Sequence, residues 1–165
     1  LQTEHQRQQP VVSRAIRTDK QRKATRPRAM FNYLAVLNGH VGRTTVSLSD
    51  YVGKGKYGLV DLWASWFGPC RGEIPNLKEI YKQHAGDDFE IVSVAVWDKR
   101  EATLKALEEE QLPWPQIIDA GQIPTELYGI DGIPQIMLFA PDGTIVARDL
   151  RGDNLKQLIS KTLPK

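Results

Sequence analysis

At 165 residues the chain is long enough for one domain with a full core and an additional tail, and with no run of 18 apolar residues nothing in it reads as a membrane span. The net charge of +2 hides an asymmetry: residues 1–29 hold eight Lys/Arg against Glu4 and Asp19, net +6, while the remainder carries 14 basic and 18 acidic residues, net −4. A single cysteine excludes an internal disulfide, so cysteine usage says nothing about the compartment.

Residues 1–29, rich in Gln, Arg and Lys with Pro10 and Pro27, read as a solvated basic tail or linker. The functional alternative is an arm for nucleic acid or anionic lipid; no aromatic residue interleaves the charges, which argues against nucleic acid. There is no initiator Met and no apolar leader, as in a mature form or an excised domain. Composition changes at about residue 30, and the folded domain is expected over 30–165. Phe31–Leu37 and Thr44–Leu48 flank Asn38-Gly39 as a β-hairpin, and Gly53-Lys54-Gly55-Lys56 is a basic turn leading to a central strand.

That strand, Tyr57–Trp63, is apolar and aromatic apart from Asp61, which is either a buried carboxylate with a task or the wet face of an alternating strand. The chain turns at Gly68-Pro69 and enters a helix from Cys70 to about His84, marked by Leu77, Ile80 and Tyr81. Cys70 falls in its first turn, where free N–H groups and the helix dipole favour a thiolate. A lone cysteine is otherwise most often a small buried hydrophobe, and the residues leave both readings open.

Phe89–Trp97 is the clearest strand, and with the preceding strand and helix it forms a right-handed βαβ unit with parallel strands. Arg100–Gln111 reads as an amphipathic helix, with Leu104 and Leu107 inward and Glu108-Glu109-Glu110 on the solvated side. Then follow a short strand at Gln116–Ile118, one or two helical turns at Pro124–Tyr128, and an apolar strand ending at Phe139. Pro141-Asp142-Gly143 turns the chain back antiparallel through Thr144–Arg148. Asp153 is placed to cap a last helix buried through Leu155, Leu158, Ile159 and Leu163. His5, His40 and His84 lie in separate segments and none pairs with a cysteine or acid at ligand spacing, so no metal and no cofactor is indicated.

Asp61-Leu62-Trp63-Ala64-Ser65-Trp66, with Gly68-Pro69-Cys70 after it, resembles the active-site segment of thioredoxin-like proteins. The continuation Cys70-Arg71-Gly72-Glu73-Ile74-Pro75-Asn76-Leu77 is similar to the TlpA/ResA-like thiol–disulfide oxidoreductases of bacterial cell envelopes, relatives of the AhpC/TSA proteins. The resemblance covers about residues 31–164. It implies a thioredoxin-like three-layer α/β/α sandwich with a mixed central sheet and an N-terminal β-hairpin.

In that family the motif is Trp-Cys-x-Pro-Cys, and here Phe67 stands where the first, attacking cysteine belongs. The resemblance makes Cys70 the second, shielded cysteine and Asp61 the buried acid that exchanges a proton with it. Glu73 matches an acid near the active site; from the residues alone it is as well an ordinary first-turn glutamate. Trp66, Phe67, Pro69, Ile133 and Pro134 would face an extended substrate. A trans proline opening a strand is the default at Pro134, but the resemblance implies a cis Ile133–Pro134 bond.

Three functions follow. The first is a thiol–disulfide exchange domain of the cell envelope, acting on protein thiols or disulfides, with its redox activity weakened by the missing cysteine. The second is a non-catalytic module that binds a peptide or protein. The third is a one-cysteine peroxidase, disfavoured because peroxiredoxins need Thr where Phe67 stands.

Overall fold

A computed structural model describes residues 33–37, 40–46, 48–118 and 120–163. Along the chain run β1 (Tyr33–Leu37), β2 (His40–Val46), β3 (Tyr57–Trp63), α1 (Gly68–Gly72), α2 (Ile74–His84), β4 (Phe89–Ala95) and α3 (Arg100–Glu110). They are followed by β5 (Gln116–Ile118), α4 (Ile123–Tyr128), β6 (Gln135–Phe139), β7 (Ile145–Ala147) and α5 (Gly152–Thr162). The expected basic tail lies outside the described residues, as do Phe31 and the Asn38-Gly39 turn.

The strands form one mixed sheet in the order β2-β1-β5-β4-β3-β6-β7. β3 and β4 are parallel, in a register that sets Tyr57 beside Phe89 and Asp61 beside Ser93. A parallel pair needs a crossover element, and α1 with α2 supplies it. β6 returns antiparallel on the other side of β3, setting Ile136 beside Asp61. The hairpin is present, but its second strand starts at His40 instead of Thr44, pairing His40 with Leu37.

Strand alternation divides the core. Leu59, Ile91, Ile136 and Leu138 pack with Leu77 and Ile80 of α2 and Leu155 and Ile159 of α5. Val60, Leu62, Val92, Val94 and Met137 pack on the opposite face with Ala106 of α3 and Tyr128 of α4. The result is the expected α/β/α sandwich of thioredoxin type.

Several local expectations are corrected. The helix after β3 is not continuous to His84: Pro75 has no N–H to offer the Arg71 carbonyl, and the Glu73 N–H turns back to the Cys70 carbonyl at 3.3 Å. In α3 the most buried positions are Thr103 and Ala106, while the expected Leu104 and Leu107 do face inward, half-buried against Ala95 and Ile118. Asp153 lies inside α5 and is not its cap; Asn154 Oδ1 accepts the Arg151 N–H at 2.8 Å, and the Gly152 N–H is taken from elsewhere in the chain.

Candidate functional site

The site forms where β3 and β4 end and the chain leaves the sheet. Phe67, extended at φ −103° and ψ 113°, precedes α1, and its carbonyl accepts the N–H groups of Cys70 at 3.0 Å and Arg71 at 3.3 Å. The connection before it is held by Asp98, a residue the sequence did not single out. Asp98 Oδ2 accepts the Ser65 N–H at 2.8 Å and the Thr103 hydroxyl at 3.0 Å, and Oδ1 accepts the Lys99 N–H at 2.9 Å. Arg71 Nε donates to the Ser65 carbonyl at 2.9 Å, and its guanidinium reaches Glu109 at 3.2 Å and Glu110 at 3.7 Å. The acidic run is therefore not only a wet face; two of its members brace the site helix.

Trp66 is 60% exposed, with its indole N–H donating to the Trp97 carbonyl at 2.9 Å. The Phe67 ring lies 5.5 Å from that of Trp66 and is half-buried against the cluster that contains Cys70 and Ile133. Pro69 is exposed on the first turn of α1. Ile133 and Pro134 are buried, joined by a cis peptide bond. The Arg151 guanidinium donates to the Pro134 carbonyl at 2.8 Å, which links this loop to the start of α5.

Cys70 does not carry the thiolate that its helix position suggested. It is 2% exposed, and burial pushes its thiol up to about 12. The Ala64 backbone, hydrogen-bonded to the sulfur, and the Arg151 charge pull the other way, while the Asp61 and Asp98 carboxylates add to the rise. Desolvation outweighs the few N–H groups of a five-residue helix.

Asp61 is 4% exposed, which excludes the wet-face reading. Burial raises its carboxyl to about 7; the Ser93 hydroxyl, donating at 3.1 Å, opposes the rise and the Glu73 charge adds to it. Trp114 completes the group, its indole N–H donating to Ser93 Oγ at 2.8 Å. Sequence reasoning missed Ser93 and Trp114. The signal was available: Asp61 and Ser93 are each the fifth residue of an apolar strand, and the parallel register pairs them.

Glu73 is half-buried at the break between α1 and α2. Its carboxylate accepts the Asn76 amide at 3.1 Å and the Gly152 N–H at 3.2 and 3.3 Å. Among the described residues no group of three or more His, Cys, Asp and Glu is placed to hold a metal ion, and no helix is long and apolar enough to cross a membrane.

Buried Asp61 near the end of β3, Cys70 in the helix that follows and the cis Ile133–Pro134 bond ahead of β6 are thus brought to one end of the sheet. Residues 30–148 match the model of the AhpC/TSA family. The chain belongs to the AhpC/TSA family.

Within that family it falls among the TlpA/ResA-like thiol–disulfide oxidoreductases. It is 30% identical to the thiol-disulfide oxidoreductase ResA of Geobacillus kaustophilus over 132 residues, 80% of this chain and 67% of that one. The thioredoxin domain of a thiol-disulfide oxidoreductase from Bacteroides vulgatus superposes with a TM-score of 0.68 at 34% identity, covering 82% of this chain and 99% of that one. A thiol-disulfide oxidoreductase from Bacteroides fragilis gives a TM-score of 0.68 at 27% identity, over 82% of this chain and all of that one. This AhpC/TSA-family chain keeps one cysteine, and that cysteine is enclosed.

Proposed function

We propose that residues 30–165 form a cell-envelope domain of the TlpA/ResA-like type that no longer turns over a dithiol and instead holds an extended segment of a protein partner. The observation that carries this reading is the enclosure of Cys70, 2% exposed, behind a phenyl group at the attack position. Disulfide reduction needs two sulfurs, one to attack and one to resolve the mixed disulfide, and this chain has one. Its neutral, desolvated thiol is a poor nucleophile as well.

The partner surface is assigned to Trp66, Phe67 and Pro69 on one side and the Ile133–Pro134 loop on the other. Trp66 offers a large rigid aromatic face to solvent, as binding surfaces commonly do. Asp61 remains as the proton partner of Cys70, and Glu73 as the acid beside it. The partner is a protein thiol or disulfide, or a peptide derived from one, by kinship with the exchange family. The location in the bacterial cell envelope is assigned on the same ground.

Insulin reduction by dithiothreitol, followed for the native chain and for Phe67→Cys, tests this. The expected result is turnover by the variant alone. Turnover by the native chain at a comparable rate would mean that Cys70 acts as a monothiol, and the binding reading would fall.

A further inference from the structure

Three buried polar groups lie in a line that no exchange role yet explains. Trp114 is 3% exposed and Ser93 fully buried, with Asp61 beyond them. An indole N–H is a donor only, so at 2.8 Å Ser93 Oγ must be accepting from Trp114. That leaves the single Ser93 hydroxyl proton for Asp61 Oδ2, 3.1 Å away. In surroundings this dry each partner is costly to leave unpaired, which keeps the line in one orientation.

We propose that Ser93, oriented by Trp114, is a positioning residue for Asp61: it occupies Oδ2 with a donated hydrogen bond and so reserves Oδ1 as the oxygen that takes up and gives back the proton. The strands on either side add no competing charge. β4 presents Ser93 itself and β6 presents Ile136. The ionisable groups acting between this carboxyl and the site helices are Glu73, which raises it, and Cys70, on which Asp61 in turn acts. Ser93 is the neighbour that favours the ionised carboxylate, in opposition to burial and to Glu73. The inference rests on reading Asp61 as the proton partner of Cys70 only for its consequence in exchange; the hydrogen-bond line itself stands without turnover.

The test is a carbon-13 NMR titration of the Asp61 side-chain carboxyl in the full chain, for the native protein, Ser93→Ala, Ser93→Thr and Trp114→Phe. Ser93→Ala should move the Asp61 midpoint upward by roughly half a unit to one unit, as loss of one donated hydrogen bond predicts. Ser93→Thr, which keeps the hydroxyl, should restore it. Trp114→Phe should shift it in the same direction by less. A midpoint in Ser93→Ala equal to the native one, with the amide spectrum otherwise unchanged, would overturn the proposal. If Ser93→Ala does not fold, Trp114→Phe decides, and a native midpoint there would overturn the coupling. Failure of Phe67→Cys to reduce insulin would count against the proposed function and leave this titration untouched.

Discussion

The Glu73 carboxylate accepts the backbone N–H of Gly152 from 79 positions away, at 3.2 and 3.3 Å. This bond ties the break between α1 and α2, just past Cys70, to the first residue of α5. The adjoining Arg151 reaches the Pro134 carbonyl, so one helix start holds both the site helix and the cis-proline loop. Glu73→Ala should lower the unfolding free energy by about 1–2 kcal/mol, the range for losing a helix-start acceptor. Urea denaturation checks this, and Glu73→Gln should recover part of the loss through its amide oxygen.

The stability of the fold depends on pH through Asp61. Its carboxyl titrates at about 7 in the fold against 3.8 as an ordinary side chain, so the fold favours its protonated form. That contribution to stability is complete below pH 3.8 and is lost as pH rises through 7. Asp61→Asn, which keeps an acceptor for Ser93, should therefore stabilise the protein at pH 8 and leave it nearly unchanged at pH 4. The displacement sets a ceiling of about 4 kcal/mol on the gain. Urea melts at the two pH values measure it; equal effects at both would contradict the assignment.

Cys70 should alkylate slowly, and its rate should keep rising with pH through pH 10 without a plateau, because its thiol titrates at about 12. Phe67→Ala removes the phenyl group packed against its cluster and should speed alkylation at pH 8 by about tenfold or more, through access and rehydration. The same variant should cost about 1–3 kcal/mol of stability, less than a fully buried phenylalanine. Mass-spectrometric rates of iodoacetamide labelling settle the point, and a rate unchanged by Phe67→Ala would show that the ring does not guard the sulfur.

Trp66→Ala should leave the melting profile almost unmoved, within about 1 kcal/mol, since the ring is mostly in solvent and loses one hydrogen bond to Trp97. Placed in the Phe67→Cys background, it should raise KM for insulin more than it lowers kcat, as expected for a residue that holds substrate without touching the reacting sulfur. A fall confined to kcat would remove Trp66 from the binding surface.

The sequence by itself determined the order of elements, the parallel pairing of the two central strands and the place of Cys70 after Gly68-Pro69. These follow from local rules: apolar runs, turn residues and the crossover a parallel pair demands. It also carried the one chemical fact that limits this chain, a single cysteine. What only the tertiary structure decided was the state of each group in the site. A helix start argued for a thiolate at Cys70, but a dipole of five residues cannot offset enclosure by the sheet, the phenyl group and the cis-proline loop. Asp61 could have faced water until the sheet was seen covered on both faces. The partners of Glu73 and Arg71 come from 79 and 38 positions away, beyond any pattern that periodicity can read, and that of Asp61, 32 positions away, follows only once the two strands are set in register. Charge and hydrogen bonding depend on what the fold brings close and on how much water it removes, and neither is a property of a local stretch of chain.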